Sequence, residues 1–181
     1  MSNPWETNPE IFPSKSKWFS YLRGCLRKAW TTHPVKLNVL KEFRKQIPNP
    51  NLKGKSMVWG GDCSMCGKTA VMKEMQVDHI VPAGSLADTS DIQGFVERLL
   101  YVSKDDLRLV CKECNSALSL SAKCGITYEE AKREKEVIKI IKSKNDKEWL
   151  EERNVVPATN QKLRRKQILD VLNGIKSKTG E

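Results

Sequence analysis

Along residues 14–30 the apolar positions Trp18, Leu22, Cys25, Leu26 and Trp30 return at helical spacing, while Lys17, Arg23, Arg27 and Lys28 fall mostly on the other side, which predicts an amphipathic basic helix. Thr32 or His33 then caps a second helix with Pro34 in its first turn. Val35, Leu40, Phe43 and Ile47 form its apolar side, and it is expected to end before Pro48 and Pro50 and to make a helical hairpin with the first. Asn49 to Lys55 reads as a linker, and Met57 to Trp59 as a strand that Gly60-Gly61 breaks. Val71 to Val77 and Leu107 to Val110 suit short strands; between them Asp91 to Val102 suits a helix carrying Ile92, Phe95, Val96, Leu99 and Leu100.

Beyond residue 120 the pattern is helical. Thr127 followed three residues later by Glu130 is a capping box opening a helix with Ala131, Val137, Ile138 and Ile141 on one side, fraying near Asn145. Residues 146–153 form a short helix around Trp149 and Leu150. Thr159 is expected to cap a last helix with Leu163, Ile168, Leu169, Leu172 and Ile175 inward, and the tail from Lys176 to be disordered. No internal repeat or low-complexity block is present, which removes solenoid readings.

At 181 residues and 39% hydrophobic, the chain suffices for one globular domain with helical additions. It has no apolar run of membrane-spanning length and no signal-peptide pattern, so it is expected to be soluble and cytoplasmic, with no membrane partner. The net charge of +10 favours a polyanion, because basic chains gain affinity for phosphates by releasing counterions. That charge is uneven: residues 1–60 hold 11 basic and 3 acidic side chains, residues 61–120 hold 6 and 9, and residues 121–181 hold 15 and 10. An acidic centre between basic flanks fits a cation site served by phosphate binders, and equally a lysine-rich solvated surface.

The six cysteines, without a secretory signal, favour metal over disulfides. Cys63-x2-Cys66 and Cys111-x2-Cys114 are two knuckle pairs. Thiolates separated by two residues on a tight turn reach one small cation, and two such turns close a tetrahedral zinc site with no open position, hence a structural one. Gly67 and Gly60-Gly61 supply backbone freedom around the first knuckle. The alternative is a redox dithiol or four buried small side chains. Cys25 and Cys124, with no partner at ligand spacing, are buried or free thiols.

Between the knuckles Asp78 and His79 end a predicted strand, stopped by Pro82. Neighbouring strand residues point to opposite faces, so both serve one site only if the strand end is distorted. Asn115 follows Cys114 directly. The combination Cys63-x2-Cys66, Val77-Asp78-His79-Ile80-x-Pro82 and Leu107-x-Leu109-Val110-Cys111-x2-Cys114-Asn115 resembles the HNH, or ββα-metal, nuclease family, in its zinc-stapled branch frequent in phages and mobile elements. It covers residues 57–122. The resemblance implies a two-stranded hairpin followed by a helix, with His79 as general base and Asp78 and Asn115 as oxygen ligands of a catalytic magnesium or manganese ion.

The sequence differs from that family's pattern at three places, one of them Asn115 in place of the final His of the family name, a variation the family also shows. The middle Asn is Asp106, beside Asp105, and an Asp accepts but does not donate, so the loop tether it usually provides must be rearranged. A Lys usual after the final ligand is replaced by Leu118 and Ser119, leaving Lys123 as a substitute phosphate contact. Other candidate DNA contacts are Lys17, Arg23, Arg27 and Lys28 on the first helix and Lys162, Arg164, Arg165 and Lys166 on the last; Trp18, Tyr21 and Trp30 are either core or base-stacking residues. His33 is expected to be a turn residue.

The expected architecture is mainly α, with a small zinc-stapled ββα-metal core (α+β) at 57–124 between a basic helical N-terminal extension, 1–56, and a helical C-terminal extension, 125–181. The expected function is a metal-dependent endonuclease hydrolysing DNA, encoded by a phage or mobile element and acting in a bacterial or infected host cell, with structural zinc and catalytic magnesium or manganese. The alternatives are a non-catalytic zinc-containing DNA-binding factor for transcription or packaging, within a phage replication, packaging or transcription complex, and a zinc module that meets an acidic protein.

Overall fold

A short helix α1 (Pro4–Thr7), with proline at its start, precedes α2 (Lys15–Thr31), whose N-cap Ser14 accepts the Lys17 amide at 3.3 Å. His33 and Pro34 then start α3 (Pro34–Phe43), where the proline sits at a position whose amide needs no helical partner. The chain continues through β1 (Lys45–Pro48), β2 (Met57–Asp62), β3 (Thr69–Val71), a 3₁₀ turn at Met72–Glu74, β4 (Met75–His79), α4 (Asp91–Leu100), a second 3₁₀ turn at Lys104–Asp106 and β5 (Leu107–Cys111). Four helices follow: α5 (Lys112–Cys124), α6 (Tyr128–Lys142), α7 (Asp146–Glu151) and α8 (Gln161–Leu172). This computed structural model describes residues 2–51 and 54–175; the tail expected from Lys176 and residues 52 and 53 of the expected linker lie outside the described residues.

Helix outweighs two small antiparallel sheets, ordered β1-β2-β3 and β4-β5, an α+β arrangement. The chain divides into two compact units, Met1–Lys112 and Glu113–Glu181, a division inside the expected 57–124 segment.

In the first unit the residue that α2 buries fully is Phe19, absent from the expected stripe, while Cys25 is exposed. Phe19 joins Leu86, Phe95 and Leu99 in a core flanked by Trp5, Trp18, Leu22, Leu26 and Trp30. The stripe is therefore rotated, because α2 packs on α4, while α3 lies against β4 and β5. The expected second helix also stops early: Arg44 is extended and Ile47 is a buried β1 residue, so the stretch expected to be helical contributes a strand. Its buried α3 residue is Val39, whereas Phe43 is exposed.

Gly60 and Gly61 do not break β2; they continue it to Asp62, paired with Val71 and Ala70 of β3. Close packing explains them. A Cβ on Gly60 would meet the Ile47 side chain of β1 and stand 2.7 Å from the Ala70 carbonyl oxygen, and one on Gly61 would stand 2.7 Å from Leu109 Cδ2. The expected strand 71–77 is interrupted by the 3₁₀ turn, after which β4 pairs with β5 in a register that sets Asp78 opposite Arg108 and His79 opposite Leu107.

In the second unit Val137, Ile140, Leu150 and Ile168 form the core, with Ile141, Trp149, Leu169 and Leu172 packed on it. The Thr127-Glu130 capping box is present, with both reciprocal bonds made. At α8 the cap is Asn160, one residue later than expected, and the phase differs: Leu163 is 54% exposed and Arg164 faces inward. No helix among the described residues is long and apolar enough to cross a membrane.

Candidate metal centre and the Asp78-His79 pair

The first cysteine knuckle is the loop of the β2–β3 hairpin. The Gly67 amide donates to Cys63 O at 2.8 Å, and Gly67 adopts φ +69°, a left-handed conformation that glycine takes without strain. The amide and hydroxyl of Ser64 both donate to Leu109 O at 2.9 Å, fastening the knuckle to β5. The second knuckle runs from the last residue of β5, Cys111, through the first turn of α5 to Cys114.

The ligand atoms of Cys63, Cys66, Cys111 and Cys114 all lie within 4.8 Å of one another. A tetrahedron with metal–sulfur bonds of about 2.3 Å has sulfur–sulfur edges of about 3.8 Å, so this cage fits zinc with little rearrangement. Donors around the sulfurs suit thiolates. Burial alone pushes the Cys63 thiol up, but amides of Cys111, Cys66 and Met65, with the Cys66 thiol, outweigh it and bring its pKa down to about 6. The Cys111 amide donates to Cys63 Sγ at 3.3 Å, and the Tyr128 hydroxyl to Cys114 Sγ at 3.0 Å. Tyr128 was not legible as a site residue, since only the folding of α6 after α5 brings it there.

Asp78 and His79 stay within a regular strand, so they point to opposite sides of the β4–β5 pair. On one side Asp78 Oδ2 accepts two bonds from Arg108, Nε at 3.0 Å and Nη2 at 2.9 Å, with Arg108 Nη1 3.5 Å from Met65 Sδ. On the other, His79 Nε2 donates to Leu99 O at 3.1 Å, which leaves Nδ1 as the basic nitrogen of the neutral ring. The ring lies against Trp30, with centroids 4.2 Å apart. Burial lowers the His79 pKa; the Leu99 carbonyl and Asp78 oppose this, while Arg27 and His33 add to it. His79 is therefore neutral near pH 7.

Asp106 ties its loop in two ways. Its carboxylate caps its own turn, accepting the Ser103 amide and hydroxyl at 2.8 Å each, which hold its pKa below the usual carboxylate range. Its backbone carbonyl accepts the Ile80 amide at 2.9 Å, so the chain just after His79 is tethered through main chain instead of an Asn side chain. Asn115 is the half-buried residue of α5 following Cys114. Among the described residues the four cysteines are the one group of three or more His, Cys, Asp or Glu side chains gathered as metal ligands, and Asp78 belongs to none, so a catalytic magnesium or manganese ion rests on the resemblance alone.

The basic candidates separate by environment. Lys17, Arg27, Lys28, Lys123 and Lys166 are exposed. Arg23 is half-buried and donates to Leu86 O at 2.8 Å. Arg165 pairs with Glu134. Arg164 is 8% exposed; it pairs with Asp146 at 2.6 Å and donates to the carbonyls of Ala158 and Thr159, so it is not a phosphate contact. The run of charges read as one basic face alternates in and out because α8 turns about 100° per residue. Trp18 and Trp30 are half-buried and Tyr21 is exposed. Compared with protein-family models, curated proteins and solved structures, the chain matches none.

Proposed function

We propose that this protein is a zinc-stapled, metal-dependent endonuclease of HNH type that hydrolyses phosphodiester bonds in DNA and is encoded by a phage or mobile element. The observation that carries the reading is His79: its Nε2 is committed to the Leu99 carbonyl, its ring is fixed on Trp30, and its Nδ1 lone pair remains for a proton. A neutral imidazole with one nitrogen oriented by a fixed acceptor is the arrangement a general base needs to take a proton from attacking water. The order of β4, β5 and α5 after the first cysteine knuckle, with the second knuckle at the β5–α5 junction, agrees with a ββα-metal core. Asp78 and Asn115 are the oxygen donors that the resemblance assigns to a divalent ion, which supplies charge stabilisation at the phosphoryl oxygen when bound.

The test is plasmid cleavage by the zinc-loaded protein with magnesium, with manganese and without either, beside His79→Ala. Metal-dependent cutting that disappears in the variant, with zinc retained, is the expected result. A second reading is favoured by Arg108, whose guanidinium already occupies Asp78 Oδ2: a non-catalytic DNA-binding factor on the same scaffold. Salt-sensitive DNA binding with intact plasmid under every condition selects it.

A further inference from the structure

The indole of Trp30, at the end of α2, lies against three side chains. His79 is at 4.2 Å between ring centroids, His33 at 5.3 Å, and Lys36 Nζ stands 5.5 Å from the indole centroid. His33 and Lys36 come from the start of α3, whose first turn carries no acidic residue. Lys36 is half-buried and makes no ion pair among the described residues. Burial lowers its pKa, because the ammonium loses water there and no carboxylate replaces it. The chain thus holds a partly desolvated cation on the ring that also supports the candidate base. One turn before Trp30, Arg27 is exposed, and its charge reaches His79.

A cation kept short of both water and counter-ion gains most from an anion that arrives with a ligand. Residues 1–60, which supply Trp30, His33 and Lys36 here, hold 11 basic and 3 acidic side chains, so the field on this side of His79 favours a polyanion. We propose that Lys36, seated on the indole it shares with His79, contacts a non-bridging phosphate oxygen of bound nucleic acid beside His79. Lysine serves such an oxygen as a point charge, and Trp30 fixes the separation of cation and imidazole. The proposal rests on the nuclease reading for its ligand and deepens it by naming the phosphate contact next to the base.

The chain has two histidines, so ring nitrogen NMR reports directly on both. Full-length, zinc-loaded protein labelled in histidine is titrated with a twelve-nucleotide single-stranded DNA, without added divalent ions, and His33→Gln assigns the signals. The His79 ring signals are expected to shift to saturation. Lys36→Gln weakens the affinity about tenfold, and Lys36→Arg stays within about threefold of the original. Unchanged affinity in Lys36→Gln, or saturation with the His79 signals unmoved, overturns the contact. The two readings fail separately: intact plasmid together with DNA-induced His79 shifts that depend on Lys36 supports the contact and removes the nuclease. Cutting by a Lys36→Gln protein of undiminished affinity does the reverse.

Discussion

Arg108 reaches across the β4–β5 ladder to Asp78 and sets two N–H groups on a single carboxylate oxygen, at 2.9 and 3.0 Å. The two side chains are about one-fifth exposed, 21% and 22%, so water screens the pair only partly. A guanidinium in that position competes with any cation for Asp78. Arg108→Gln is expected to cost about 1 to 3 kcal/mol of stability in urea titration. If Asp78 is a cation ligand, the same variant binds manganese several-fold more tightly, read by the electron paramagnetic resonance of the free ion; equal affinity in the two proteins would rule that role out.

Tyr128 donates to the Cys114 sulfur. Groups that hold metal ligands from behind contribute to affinity, so Tyr128→Phe is expected to weaken zinc binding about tenfold to a hundredfold in competition with a chromophoric chelator, while Cys66→Ser removes one of the four ligands and lowers the zinc content. A Tyr128→Phe protein that holds zinc as tightly as the original would make that hydroxyl irrelevant to the site.

Gly60 lies where Ile47 and the Ala70 carbonyl converge on β2. Gly60→Ala is expected to destabilise by about 1 to 3 kcal/mol through overpacking. Adding Ile47→Val should recover only part of the loss, since the 2.7 Å approach to a backbone oxygen persists. Full recovery would mean that the sheet shifts freely there.

Arg164 and Asp146 are the buried charged pair of the second unit, with side chains 10% and 7% exposed. Arg164→Ala leaves Asp146 buried without its guanidinium and is expected to cost about 3 to 5 kcal/mol in denaturant titration. Lys166→Ala, two residues on and exposed, should stay within about 0.5 kcal/mol. Equal effects would mean that the inward turn of Arg164 contributes nothing.

Asp88 has its pKa lowered to about 2, first by the Lys15 side chain and then by the Ser90 amide and Thr89 hydroxyl. Because the folded value lies below the ordinary carboxylate value of about 3.9, this group's stabilising contribution is present above that value and is lost as pH falls through about 2. Carbon NMR of the carboxyl should show that low midpoint, and Lys15→Gln should raise it. A midpoint indifferent to Lys15 would leave the Ser90 amide and the Thr89 hydroxyl as its causes.

What the sequence determined by itself is what neighbouring residues enforce on one another. Cysteines with two residues between them can share a turn whatever lies around them, Thr127 and Glu130 cap within one turn, and β5 and α4 follow from their apolar periodicity. The Asp78-His79 pair was visible as a motif for the same reason. The tertiary structure decided everything that depends on which distant segment arrives. Gly60-Gly61 reads locally as a break and becomes strand only because β1 and β3 pack against it. Arg164 reads as one more surface charge until Asp146 meets it. Likewise, only strand register places Arg108 on Asp78, and only the packing of α2 on α4 brings the Trp30 indole and the Leu99 carbonyl to His79. Periodicity encodes which face of an element is apolar; the partner that covers that face, and the polar groups it carries with it, are chosen by long-range burial and by the pairing of polar groups left without water.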